Sequence, residues 1–193
     1  NIGTVKIARK IGEEKYKKFL KELNLLNSPK FELDEIGNPI SFNWNKCKLE
    51  TISFGHGITT TPLQAATAYA SLINGGKLIS PTLKKDKNKN INFERIISED
   101  TSRKIKNILR KVVTHEKGTA SLADIYGYTV SGKTGTSQYY DDRSKNINTF
   151  ISFFTTSNKT YTLLVMLDNP QIAKNLIYNY RGVKIKGTRN EAG

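Results

Sequence analysis

Cysteine is almost absent from these 193 residues. Cys47 is the only one, so neither an internal disulfide nor a cysteine-based metal cluster is available, and a lone thiol of this kind is expected to be buried and inert. Histidine is nearly as scarce, with His56 and His115 alone, and two histidines without a carboxylate cluster make a poor metal site. Met166 is the only methionine, so no initiating residue stands at the start, and no signal-peptide pattern is present. Nothing approaches the run of about 18 apolar residues that a membrane span needs. The expectation is a chain cut from a longer one.

Acidic residues are few beside basic ones: Lys and Arg number 31 against 17 Asp and Glu, a net charge of +14. Such an excess could serve nucleic acid or an anionic surface. Here it is spread along a chain rich in Lys, Asn and Ile. The densest stretch, Lys84 to Asn90, has no interleaved aromatics of the kind a single-strand platform uses. It reads as a solvated loop, and no nucleic-acid partner is expected. The length suits one domain with a real core.

Residues 1–24 read as two helical pieces. Ile2, Val5, Ala8 and Ile11 keep a helical period, Gly12 interrupts it, and Tyr16, Phe19, Leu20 and Leu23 resume it. Lys15, Lys17, Lys18 and Lys21 fall on the wet face. From Ser28 to Lys48 turns dominate, with Phe31, Ile36, Phe42 and Trp44 expected to pin the loop. His56, between Gly55 and Gly57, reads as part of a tight turn rather than as a catalytic base. Thr61-Pro62-Leu63-Gln64 has the chemistry of a helix start: an N-cap, a proline at the first position and a capping-box glutamine. Asn74-Gly75-Gly76 ends that helix, and Leu63, Ala66, Ala70 and Ile73 form its apolar stripe. Ser98 caps a second helix, with Ile105, Ile108, Leu109, Val112 and Val113 inward and Arg103, Lys104, Arg110 and Lys111 outward.

Residues 150–156 and 161–168 read as strands joined by a turn at Ser157-Asn158. Leu163 to Leu167 has the continuous apolar character of a central strand buried on both faces. Asp141 and Asp142 could suggest a carboxylate pair for acid/base work, but their Ser-, Lys- and Asn-rich surroundings favour a solvated turn. The tail from Arg181 to Gly193 shows no core pattern.

The most informative stretch is Val130-Ser131-Gly132-Lys133-Thr134-Gly135-Thr136-Ser137-Gln138. Hydroxyl and β-branched residues favour a strand, and glycines within a strand mark close approach to the backbone. Lys133 with the hydroxyls of Thr134 and Thr136 is a natural receptor for a carboxylate or phosphate. Gly127 to Thr134 also satisfies G-x-x-x-x-G-K-[ST], and Leu163 to Asp168 resembles the apolar strand that ends in a magnesium-binding Asp. A phosphate loop, however, needs a buried strand before it and a helix after its Lys. Residues 119–126 are not such a strand, and residues 135–143 lack a helical period. A P-loop nucleotide hydrolase is therefore the second reading, and a basic, non-catalytic binding module the third.

The first reading comes from resemblance. Ser53-Phe54-Gly55-His56-Gly57, Thr61-Pro62-Leu63-Gln64-Ala65-Ala66 and Val130 to Gln138 resemble the C-terminal half of the transpeptidase domain of class B penicillin-binding proteins, nearest to the cell-division (septal) type. K-T-G-T about seventy residues after G-H-G-x-x-x-T-P-L-Q is a specific combination, and the resemblance runs over nearly all of residues 1–193. It implies an α/β fold of the penicillin-binding/β-lactamase-like serine transferase type, with an antiparallel sheet packed between helices and truncated at both ends. It implies an acyl-serine intermediate that cross-links peptidoglycan, with no cofactor. It implies stem peptides and β-lactam antibiotics as ligands, and cell-division proteins as partners of the full-length protein. The intact protein would be anchored in the inner membrane, its catalytic domain on the periplasmic side.

By the same resemblance Lys133 is the catalytic cation, Thr134 and Thr136 hold the substrate carboxylate, and Gly135 lets the peptide lie along the strand. Asn1-Ile2-Gly3 fits the end of the family's S-x-N motif, which would make Asn1 catalytic; an ordinary helix cap is the other reading of Asn1. The family's nucleophile motif, S-x-x-K, does not occur: Ser41, Ser80, Ser102, Ser121, Ser131 and Ser144 all lack the lysine three residues on. The serine is expected before Asn1, and the isolated fragment is expected to be inactive. Strict alternation sets Lys133 on the face opposite Thr134 and Thr136. All three could serve one site only on an edge strand.

Overall fold

The computed structural model describes residues 1–85, 93–139, 141–156 and 159–170, together with the backbone of strands Leu176–Tyr180 and Val183–Gly187. Most of the Lys84–Asn90 stretch and the turn at Ser157-Asn158 lie outside the described residues. The chain divides into two compact units, Asn1–Ile108 and Leu109–Gly193.

The first unit is helical. Helices α1 (Ile2–Ile11) and α2 (Glu13–Glu22) meet at Gly12, whose φ of 85° belongs to the left-handed region that glycine adopts without strain. Lys17 is less solvated than its sequence position suggests, since it pairs with Glu13 at 2.5 Å and lies 4.7 Å from the centre of the Trp44 ring. Phe31, Ile36, Phe42 and Trp44 are all half-buried, as pinning residues should be. Cys47 is exposed rather than buried, because it stands at φ 68° as the N-cap of the short helix α3 (Lys48–Ile52), which turns Leu49 and Ile52 inward instead.

Helix α4 (Pro62–Ile73) begins as its sequence dictates. The Gln64 amide donates to Thr61 Oγ1 at 3.2 Å, and the Thr61 amide donates to Gln64 Oε1 at 3.0 Å, closing the capping box. Its buried stripe is Gln64, Ala68, Ser71 and Ile73; of the expected Leu63, Ala66, Ala70 and Ile73 only Ile73 belongs to it. The polar members are accepted inside because each is bonded: Ser71 Oγ donates to the Thr67 carbonyl at 2.8 Å and accepts from the Ile79 amide at 2.9 Å. Gly76 could not carry a side chain, since a Cβ there would stand 2.1 Å from the Ile97 carbonyl oxygen.

Helix α5 (Glu99–Thr114) runs across the boundary between the units. Ser98 Oγ accepts from the Thr101 amide at 3.1 Å, so Ser98 caps it. Leu109 and Val113 are buried and Ile105 and Val112 half-buried, as the apolar period expects, but Ser102 is buried with them and Ile108 is 62% exposed.

The second unit holds an antiparallel sheet of order β1-β2-β3, built from Ser131–Gln138, Asn146–Thr156 and Lys159–Asp168. Val113 of α5 packs with Ala120, Ala123, Val130 and Phe150 in one buried cluster, joined by Val112 and Phe154. This cluster includes Phe150 and Phe154 of β2 and Val130, just before β1. Strand β3 is not central. Among the described residues it is the far edge of the sheet, and Leu163, Val165, Met166 and Leu167 are 37–50% exposed. Its apolar run is that of a two-sided strand, but β2 alone pairs with it here. A separate hairpin, β4 (Leu176–Tyr180) and β5 (Val183–Gly187), follows. The second of these strands corrects the patternless reading of the tail, for Val183 and Ile185 alternate with Lys184 and Lys186.

Candidate active-site strand

Strand β1 forms where its composition says it should, and it stands at the edge of the described sheet. It pairs only with β2, in the register Lys133↔Ile151, Thr134↔Phe150, Gly135↔Thr149 and Thr136↔Asn148. The other side of β1 is an open edge among the described residues. In an antiparallel ladder the backbone groups of alternate residues point to the same side. The Gly135 carbonyl accepts from the Thr149 hydroxyl of β2 at 3.3 Å, so the Thr134 and Thr136 backbone groups face the open edge. The Lys133 ammonium bends to that edge and donates to the Thr134 carbonyl at 2.7 Å. Lys133, Gly135 and Thr136 are exposed and Thr134 is half-exposed. The Lys133 ammonium and the Thr134 and Thr136 backbone groups thus share a rim.

The two glycines of β1 are closely approached, as glycines within a strand imply. A Cβ on Gly132 would stand 2.4 Å from the Ile151 carbonyl oxygen and 2.9 Å from the Phe150 ring, and one on Gly135 would stand 2.6 Å from Thr149 Oγ1. In both cases the close neighbour is β2.

Two residues that sequence reasoning did not single out hold this strand. Thr119 Oγ1 lies 2.7 Å from Thr134 Oγ1. Arg110, assigned to the wet face of α5, turns inward instead: it pairs with Asp124 at 2.9 Å through one guanidinium nitrogen and donates to the Val130 carbonyl through the other. A periodicity argument counts Arg as polar and sends it to solvent, and only the fold shows that two acceptors wait for it.

The other groups singled out by the sequence lie elsewhere. The residues after Lys133 continue as strand to Gln138, so the helix that a phosphate loop needs after its Lys does not follow. Asp168, the companion of that reading, accepts a hydrogen bond from the Tyr139 hydroxyl, which pushes the phenol pKa up. Asp142 accepts from the Ser144 amide at 3.0 Å and from its hydroxyl at 2.5 Å, and pairs with Lys145 at 3.3 Å. These contacts, the Ser144 hydroxyl foremost, hold its carboxyl below the usual range, the mark of a turn rather than of a proton carrier. The exposed His56 ring stacks on Phe54 at 6.4 Å, and its amide donates to the Thr51 carbonyl at 3.0 Å. Asn1 is exposed at the start of α1 in the first unit, and its side chain makes no capping bond. Among the described residues no group of His, Cys, Asp and Glu is placed to hold a metal, and no helix is long and apolar enough to cross a membrane.

An antiparallel sheet with a K-T-G-T edge strand is the architecture of the penicillin-recognising serine transferases, and the comparisons agree. The model of the penicillin-binding protein transpeptidase domain matches residues 1–187, and the chain belongs to that family. It is 32% identical over 184 residues to the protein named "Probable peptidoglycan D,D-transpeptidase FtsI" of Caulobacter vibrioides, covering 89% of this chain and 31% of that protein. It is 31% identical to the stage V sporulation protein D of Bacillus subtilis, covering 89% and 29%. Among solved structures, the transpeptidase domain of Burkholderia pseudomallei penicillin-binding protein 3 superposes with a TM-score of 0.80 at 26% identity, covering 88% of this chain and 53% of that one. Penicillin-binding protein 3 of Mycobacterium tuberculosis, solved in complex with ampicillin, gives 0.77 at 25% identity, covering 87% and 42%. The chain thus spans about a third of the length of these curated relatives.

Proposed function

We propose that this chain is the substrate-binding part of a peptidoglycan D,D-transpeptidase, which works together with a serine carried by the segment before Asn1. The observation that carries this reading is the K-T-G-T string on an open sheet edge, with the Lys133 ammonium drawn to that edge. The serine oxygen attacks the penultimate peptide carbonyl of one stem peptide. An acyl–serine ester forms, and the terminal amino acid leaves with a proton on its nitrogen. The amine of a second stem peptide then attacks the ester, giving the cross-link and the free serine.

Lys133 supplies positive charge beside the serine and assists proton movement. The Thr134 and Thr136 hydroxyls hold the terminal carboxylate of the donor peptide. Gly135 keeps the strand free of a side chain where the peptide adds as a further strand, and the Thr136 amide, which faces the open edge, donates to the oxyanion. Asn1 completes an S-x-N motif whose first two residues precede it. A β-lactam enters the same site as a mimic of the donor peptide and stops at the acyl stage. The setting is the outer face of the inner membrane during division, in contact with cell-division proteins.

The test is labelling by a fluorescent penicillin. The protein that joins this chain to its upstream half should label stoichiometrically, and Lys133→Ala should slow acylation by roughly a hundred- to ten-thousandfold. The chain of residues 1–193 alone should not label. A mild effect of Lys133→Ala would reduce that residue to a structural role, and stoichiometric labelling of the short chain would place the nucleophile within it.

A further inference from the structure

Among the described residues strand β1 has a neighbour on one side only. Its lateral position, and with it the aim of Lys133 and Thr134, cannot come from a ladder on the open side. The connection between α5 and β1 provides two fixed points instead.

The first is at the entrance to the strand. Arg110 bonds the carbonyl of Val130, three residues before Lys133, and pairs with Asp124, which follows the single 3-10 turn Ser121–Ala123. Both charged side chains are about 30% exposed. The planar guanidinium fork reaches both acceptors at once, which a lysine could not do. The second point lies at Thr134 itself. Thr119, 2.7 Å from it, is presented by a rigid turn: the Gly118 amide donates to the His115 carbonyl at 2.8 Å, and the Ala120 amide donates to the Val112 carbonyl at 3.3 Å. A Cβ on Gly118 would stand 2.2 Å from the Val112 carbonyl oxygen, so the turn packs closely on α5, and Ala120 is buried in the core cluster.

A threonine hydroxyl has one proton to give and lone pairs to receive. If Thr119 donates to Thr134, the Thr134 proton is left for an anionic ligand at the open edge. If Thr134 donates to Thr119, a carboxylate at the edge meets only lone pairs. A bound carboxylate therefore selects the first arrangement, and Thr119 is the group that makes it possible.

We infer that Arg110 and Thr119 are positioning residues of the K-T-G-T strand: Arg110 fixes where β1 enters the sheet, and Thr119 turns the Thr134 hydroxyl into a donor toward the substrate carboxylate. The Thr119 part rests on the function proposed above; the Arg110 part stands on the fold alone.

The test uses the protein that joins this chain to its upstream half. Acylation by a penicillin is resolved into its binding and chemical steps, beside acylation by the same penicillin with its carboxylate esterified. Amide hydrogen exchange over residues 131–136 is followed in parallel. Thr119→Val, which keeps shape and loses the hydroxyl, is expected to weaken the binding step for the free acid about tenfold. It should leave the ester nearly unchanged, and Thr119→Ser should restore binding. Arg110→Lys is expected to speed exchange in β1 about tenfold without a matching rise in β3.

Equal losses for acid and ester, or no loss, would overturn the role of Thr119. Unchanged exchange in β1 would overturn that of Arg110. If the unaltered protein does not label at all, the functional reading fails instead, and the exchange experiment still decides whether Arg110 holds the strand.

Discussion

Tyr139, the first residue beyond β1, donates its hydroxyl to the carboxylate of Asp168, the last residue of β3. The bond crosses the end of the sheet, and the neighbouring Asn169 amide adds a second tie by donating to the Asn146 carbonyl at 2.8 Å. The carboxylate opposes loss of the phenol proton, so the Tyr139 pKa lies above its ordinary value. A group whose pKa is raised on folding contributes stability that is full below the unfolded value, about 10 for tyrosine, and is lost as the pH rises through the folded value. The stability of this protein should therefore fall as pH climbs above about 10, and Tyr139→Phe should flatten that limb of a melting-temperature profile. An unchanged alkaline limb in the variant would mean that other groups set it.

Gln64 carries more than a helix cap. Its side chain closes the capping box of α4 through Oε1, and Nε2 donates to the carbonyls of both Asn24 and Asn27 at 2.7 Å, with the residue only 1% exposed. Gln64→Leu keeps the volume and strands these acceptors. The expected loss is about 2–4 kcal/mol in a denaturant titration. A loss under about 1 kcal/mol would show that the 24–27 turn finds water instead.

The two strand glycines should respond differently to a methyl group. At Gly132 the obstacles are a backbone carbonyl and the Phe150 ring, which cannot move without opening the sheet, whereas at Gly135 the obstacle is the rotatable hydroxyl of Thr149. Gly132→Ala should cost about 2–3 kcal/mol as overpacking. The cost of Gly135→Ala should be smaller and should vanish with Thr149→Ala. Thermal unfolding of the two single variants and the double variant checks this, and failure of the double variant to recover would point to the backbone.

Strand β3 offers Leu163, Val165 and Leu167 on one face and Met166 on the other, at what is, among the described residues, an edge of the sheet. Exposed apolar edge strands pair with further chains. Residues 1–193 expressed alone should self-associate at micromolar concentration, and Val165→Lys should shift the sedimentation profile toward monomer. A monomeric unaltered chain would show that this surface is covered by the chain itself.

Much of the local structure was legible in the sequence because its causes are local. Gly12 between two helical periods, the Thr61-Pro62-Leu63-Gln64 start of α4, the glycines after Asn74 and the strand character of Ser131 to Gln138 each depend on a few adjacent residues, and each is where the pattern put it. The K-T-G-T string in its order after Thr61-Pro62-Leu63-Gln64 was enough to point to the family.

What only the tertiary structure decided involves contacts between distant residues. Periodicity cannot show that Arg110 has acceptors at Val130 and Asp124, or that Gln64 and Ser71 find partners deep in the fold, so it sent Arg110 to solvent and favoured alanines over Gln64. Leu163 to Leu167 has the composition of a central strand, yet strand order is a property of pairing, and β3 stands at an edge. The same holds for the site. The residues of β1 are written in the sequence, but the position of that strand at the rim of the sheet, which lets Lys133 share an edge with the Thr134 and Thr136 backbone, follows from β2 alone pairing with it.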